Sequence, residues 1–110
     1  MKEIIIKSYS DEGKGIVQKF KRMTTNVCEY AGYRLYGCNA FVRIRYGAII
    51  LYSYQTPIAV LDTENKICYE CLRPIYGYTS TSNQHISKFK KYLIEKIPQL
   101  YDELTFYSVR

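Results

Sequence analysis

One histidine, four cysteines and a run of hydroxyls are the side chains of this sequence best suited to catalyse, to ligate a metal or to hold an anion. His85 would need a nucleophile and an orienting carboxylate beside it to act as a general base. No flanking motif offers either, and the acidic residues are scattered, with no paired-carboxylate spacing. Cys68-Tyr69-Glu70-Cys71 has the C-x2-C spacing of a zinc site, and Cys28 and Cys38 could complete four ligands. The pair falls in an expected strand, however, where residues three apart point to opposite faces. Small buried thiols are therefore the preferred reading, and no metal or other cofactor is expected. A redox C-x-x-C would open a helix, which this one does not. Together these features predict binding rather than catalysis. A small cysteine-dependent enzyme or zinc protein using Cys68, Cys71 and His85 is the alternative.

Two groups of residues suit polyanions. Thr79-Ser80-Thr81-Ser82 brings hydroxyls and backbone N–H groups to the start of an expected helix, with Gln84 and His85 in reach. Helix N-termini attract anions through unpaired N–H groups and the positive end of the dipole. Simple capping accounts for the same residues. The second group is basic. Arg43 and Arg45 share one face of an expected strand, and Lys88 and Lys91 share one face of the helix. If Tyr36, Tyr52 and Tyr54 interleave with the arginines, the result is a single-strand platform, arginine on phosphates and tyrosine under bases. The competing reading is a solvated face over a tyrosine-rich core. No RNP-type, zinc-finger or helix-turn-helix signature supports sequence-specific readout.

These residues must be positioned by strands and one main helix. Residues 2–9 read as a strand through Ile4, Ile5 and Ile6. Residues 10–15 read as a turn by composition, and 16–23 as a short helix with Ile16, Phe20 and Met23 on one face. Residues 27–36 look extended, with Gly32 marking a bulge. Residues 41–46 alternate, with Val42, Ile44 and Tyr46 on one side and Phe41, Arg43 and Arg45 on the other. Strands over 48–54 and 56–61 follow, the second paired with 66–72 in a hairpin across the polar turn 62–65. Ile86, Phe89, Leu93 and Ile97 recur at helical spacing, so 82–97 is the main helix, with Thr81 and Gln84 as a capping box and Pro98 as its end. Residues 99–104 add a helical turn and 105–109 a strand. Strands first and a helix late predict an α+β fold, an antiparallel sheet with the helix packed on one face.

Bulk properties narrow the class further. The chain has 110 residues, which predicts one domain. It carries 16 Lys+Arg against 10 Asp+Glu, a net charge of +6 that favours a polyanionic partner. Thirteen tyrosines and no tryptophan suit strands and half-wet contact surfaces, although an A·T-rich coding bias gives the same count. Apolar runs stop at about four residues, far below the roughly 20 of a membrane span, so no membrane partner is expected. The opening Met1-Lys2-Glu3-Ile4-Ile5-Ile6-Lys7 meets a charge too soon for a secretory leader, which predicts a cytoplasmic protein. Tyrosine-rich edge strands leave both monomer and homodimer open.

Ser53-Tyr54-Gln55-Thr56-Pro57-Ile58-Ala59, followed by Tyr76-Gly77-Tyr78-Thr79-Ser80-Thr81-Ser82-Asn83-Gln84-His85, resembles a domain of small phage, plasmid and mobile-element proteins of Gram-positive bacteria. Its pattern is S-Y-x-T-x-I-A, a hairpin, then Y-S-x-T-T-x-x-H opening a helix, over residues 25–95. Gly77 within the tyrosine pair and Ser80-Thr81 in place of part of the Thr-Thr pattern depart from it. The resemblance implies no catalytic residues. It implies an accessory protein of the bacterial host's cytoplasm that binds a defence protein or nucleoprotein, most concretely an anti-CRISPR inhibitor occluding a Cas nuclease or its guide RNA. A single-stranded nucleic-acid-binding module in plasmid or conjugative-element maintenance is the second expectation.

Overall fold

The computed structural model describes residues 1–25, 31–45 and 47–110. Cys28, Tyr46 and the start of the expected 27–36 strand lie outside them. The described chain runs β1 (Lys2–Ile6), α1 (Asp11–Thr24), β2 (Ala31–Arg34), β3 (Ala40–Arg45), β4 (Ala48–Ser53), β5 (Thr56–Asp62), β6 (Ile67–Glu70), α2 (Leu72–Ile75), α3 (Ser80–Lys96), α4 (Pro98–Glu103) and β7 (Thr105–Val109). The expected α+β class holds.

The seven strands form one sheet in the order β1-β7-β6-β5-β4-β3-β2. β2 to β6 are an antiparallel meander of successive neighbours. The remaining edge differs from the expected all-antiparallel sheet, because β7 lies parallel to both β6 and β1. The cause is connectivity. β6 reaches β7 through α2, α3 and α4, and parallel neighbours need such a helical crossover. β1 reaches β2 at the opposite edge through α1.

The two connections cover opposite faces, so helices lie on both sides of the sheet rather than one. Phe89, Leu93 and Ile86 of α3 pack with Leu51, Leu61, Cys68 and Phe106. Phe20 of α1, with half-buried Ile16 and Val17, packs with Ile50, Val60, Tyr69 and Val109 on the other side. β4 is buried along its whole length and β5 along most of it. Being covered on both faces, they carry the unbroken apolar runs Ala48–Leu51 and Ile58–Leu61 in place of an alternating pattern. The strand pairing shifts between Leu51 and Tyr52.

Local chemistry sets the element ends. α1 begins at Asp11, inside the expected 10–15 turn, because the Ser10 side chain caps it by accepting from Gly13 N–H at 3.0 Å. α3 begins at Ser80, and its cap is Thr79, which accepts from Ser82 N–H at 3.0 Å, in place of the expected Thr81–Gln84 box. Asp62 closes the β5–β6 turn by accepting from Asn65 Nδ2 at 2.7 Å and from the backbone N–H groups of Asn65 and Glu64, and against the effect of burial these bonds, with the charge of Lys19, hold its carboxyl below the usual range. Gly32 marks no bulge: it pairs regularly with Arg43.

Candidate nucleic-acid interface

α1 packs over β5 and β7, and its last turn ends at Thr24. On that same side, the sheet beyond β4 carries Tyr52 of β4, Phe41, Arg43 and Arg45 of β3, and Gly32 and Arg34 of β2, placed together by the strand register. The Arg34 guanidinium lies 5.5 Å from the Phe41 ring centroid, and that of Arg43 lies 4.8 Å from the Tyr52 centroid. A guanidinium over an aromatic face can still turn edge N–H groups to phosphate oxygens, and Arg34 already turns one, Nη2, to Asn39 Oδ1 at 3.5 Å. Gly32 gives Arg43 its lane, since a Cβ there would lie 3.2 Å from Arg43 Cγ.

Three adjoining solvent-open depressions run across this surface. The first, of about 470 Å³, is lined by Gly32, Tyr33, Arg34, Phe41 and Arg43. The next, of about 510 Å³, is lined by Phe41, Arg43, Tyr52, Tyr54 and Gln55, and the last, of about 520 Å³, by Asn39, Phe41, Tyr54, Gln55 and Thr56. Phe41 borders all three, so they form one trough from the β2 edge to the β4–β5 turn. Tyr54 stands at that turn with φ 56° and 45% exposure. This is the left-handed region, which a tyrosine occupies at a cost of about 1–3 kcal/mol. Its N–H is held by Asn39 O at 2.8 Å, and its ring rests 5.7 Å from the His85 ring.

The expected site residues divide. Arg43 faces the trough, and Tyr54 borders it at the β4–β5 turn with its ring against His85 of α3. Tyr52 borders it but is 6% exposed, with Arg43 over its ring, so it supports the arginine and offers no free face to a base. Arg45 lines a separate depression in acidic company, with Asp62 and Glu64. Lys88 and Lys91 belong to α3, on the opposite side of the sheet. Lys91 Nζ sits 4.5 Å from the Tyr36 centroid, and Tyr36 donates to Glu95 at 2.8 Å. Burial, then the Glu95 carboxylate, raises the Tyr36 phenol to about 12. Arg34 was missed from sequence. The β2–β3 turn through Tyr36-Gly37 sets its register opposite Phe41, and that turn was the available signal.

The expected anion site does not assemble. Thr79, Ser80 and Thr81 are exposed, whereas Ser82 and His85 turn inward. Ser53 Oγ lies 2.8 Å from His85 Nδ1 and 3.0 Å from Ser82 Oγ, all three residues being buried. Burial, then nearby Lys88, lowers the His85 pKa, so the ring is neutral near pH 7. The cluster fastens α3 to the end of β4 and joins the two motif segments, Ser53–Tyr54 and Ser82–His85.

The C-x2-C pair is split, with Cys68 in β6 and the α3-side core and Cys71 in the α1-side core; contrary to expectation Cys71 lies past the strand, as the N-cap of the short helix α2. Burial raises both thiols, Cys68 far up and Cys71 to about 12, with Glu70 adding to each. Cys38 donates to Leu35 O at 3.0 Å. Among the described residues no group of three or more His, Cys, Asp or Glu is placed to hold a metal ion. Glu70, unremarked in the sequence, is a buried carboxylate that accepts from Leu72 N–H at 2.7 Å and Ser108 Oγ at 2.8 Å. Burial raises its pKa, with those bonds pulling the other way.

The sequence model of a family of unknown function, DUF8033, matches residues 19–102. The chain belongs to that family. No curated protein and no solved structure matches it. The DUF8033 span contains the whole trough and the Ser53–Ser82–His85 cluster, while β1 and β7 lie outside it. Among the described residues, no helix is long and apolar enough to cross a membrane.

Proposed function

We propose that this DUF8033 protein is a non-enzymatic binding protein whose β2–β3–β4 trough takes single-stranded nucleic acid. The observation that carries the reading is the pair Arg34 and Arg43, each set over an aromatic ring on the β2–β3–β4 part of the sheet. Phosphates would run along the two guanidinium edges, and a base would rest on the exposed ring of Tyr54. The +6 net charge supplies long-range attraction for such a chain.

Fluorescence anisotropy with labelled single-stranded RNA and DNA tests this. Binding is expected at low salt and should weaken steeply as salt rises. The Arg34→Ala/Arg43→Ala variant should bind at least about tenfold more weakly and lower the salt slope by roughly 1.4, about 0.7 per phosphate contact on a single strand. Lys91→Ala, on the far layer, should leave binding unchanged. Absence of binding to any oligonucleotide at low salt overturns the reading.

A second reading is the inhibitor that occludes a host nucleoprotein such as a Cas nuclease or its guide RNA. It draws support from the two motif segments of the resemblance meeting at Ser53, Ser82 and His85. Its readout is separate: protection of target DNA from cleavage, and co-elution with the nuclease.

A further inference from the structure

The sheet ends in β2 on one side and β1 on the other. Natural sequences guard such edges by shortness, charged side chains, proline or bulges. β1 is five residues long and carries Lys2 and Glu3, which discourage indiscriminate pairing, but it has no proline or bulge, pairs in regular register from Lys2↔Thr105 to Ile6↔Val109, and exposes Ile5 to 60%.

The backbone phase of this edge is fixed. Lys2 N–H donates to Leu104 O at 2.9 Å, Ile6 O accepts from Arg110 N–H at 2.8 Å, and Ser8 N–H donates to Arg110 O at 2.7 Å. Even-numbered residues therefore turn their backbone groups toward β7, and Glu3, Ile5 and Lys7 turn theirs away. Lys7 O is already taken by Ser10, through its N–H at 3.1 Å and its hydroxyl at 2.7 Å. Among the described residues, the groups left outward are the N–H of Glu3, Ile5 and Lys7 and the carbonyls of Glu3 and Ile5.

We infer that β1 pairs antiparallel with β1 of a second copy of this chain, about a two-fold axis at Ile5. In that register Ile5 lies opposite Ile5, Ile4 opposite Ile6, and Glu3 opposite Lys7 twice over. The outward groups match it: Ile5 N–H meets Ile5 O in both directions, and Lys7 N–H meets the free Glu3 O in both directions. Registers shifted one step satisfy the same phase but set Glu3 or Lys7 against Ile5. Opposite charges facing across antiparallel strands stabilise a pair, and like charges destabilise it. Glu3 already has Lys90 Nζ at 3.5 Å, but its side chain is 38% exposed, so a second ammonium can reach it. With five residues in β1 the contact is small, so the dimer is weak and concentration-dependent.

Sedimentation equilibrium tests this. The chain should approach twice its 13.0 kDa mass as concentration rises. Lys7→Glu and Ile5→Lys should each weaken association by about tenfold or more. Glu3→Lys/Lys7→Glu restores both ion pairs and should restore association. Amide hydrogen exchange reads the same register without mutation: protection at Ile5 and Lys7 should grow with concentration, and that at Glu3 should not. A single species of 13.0 kDa at all concentrations overturns the inference, as does a dimer that Lys7→Glu leaves intact or an exchange pattern that ignores Ile5 and Lys7.

Discussion

His85 shows how much a single residue's meaning depends on what the fold brings to it. Its sequence neighbours give it no partner, and the residue it needs, Ser53, is 32 positions upstream. No local spacing announces that contact, so the hydroxyl run before it reads as an anion site when Ser82 in fact belongs to an internal fastener. The consequence for stability has a definite sign. The fold holds the imidazole neutral with its pKa below the ordinary 6.5, whereas the unfolded chain protonates it near that value. Stability from His85 is therefore full above pH 6.5, falls as pH drops through the interval down to the folded pKa, and then levels off. Thermal melts of wild type and His85→Asn across this range should differ in slope there, the variant losing that part of the decline. Curves that stay parallel would contradict the assignment. Arg43, by contrast, was legible from its sequence, because strand alternation places a residue on a face without any tertiary information.

At the scale of the element, α1 carries the sharpest lesson. Its first turn reads as a loop because Gly13 and Gly15 both disfavour helix, yet only one of them is there for space. A Cβ on Gly13 would stand 2.1 Å from the Lys7 carbonyl oxygen, whereas one on Gly15 meets nothing within 4 Å. Gly15→Ala should therefore stabilise the protein by about 0.5–1 kcal/mol through helix propensity. Gly13→Ala gains the same propensity but must push a backbone strand end aside, and should destabilise by about 1–3 kcal/mol. Urea midpoints of the two variants give the opposite signs directly. Ser10 before two acidic residues was the overlooked start signal. The apolar spacing of α3 was readable throughout, because Ile86, Phe89 and Leu93 face one core, and only its cap moved by a few residues. The strands β4 and β5 were expected over 48–54 and 56–61, but their unbroken apolar runs do not say what covers each face.

For the molecule as a whole, the meander β2 to β6 was accessible because each strand pairs with its sequence neighbour. The position of β7 was not, since its insertion between β6 and β1 is decided by the crossover through α3 and by docking of two strands from opposite ends of the sequence. Such pairings close late and slow folding. The same arrangement places the proposed ligand trough and the proposed dimer edge at opposite ends of the sheet, so one can be disabled without touching the other. It also has a mechanical consequence. β1 and β7 run side by side in the same direction, so tension applied at Lys2 and Val109 drags the two strands along each other and loads their hydrogen bonds together, in shear. Tension across the paired residues Ala40 and Ser53 would instead open the β3–β4 hairpin one bond at a time, like a zip. Single-molecule pulling through Lys2 and Val109 should therefore rupture the fold at a clearly higher force than pulling through Ala40 and Ser53, and the strand pair that closes last in folding would be the one that resists stretching most.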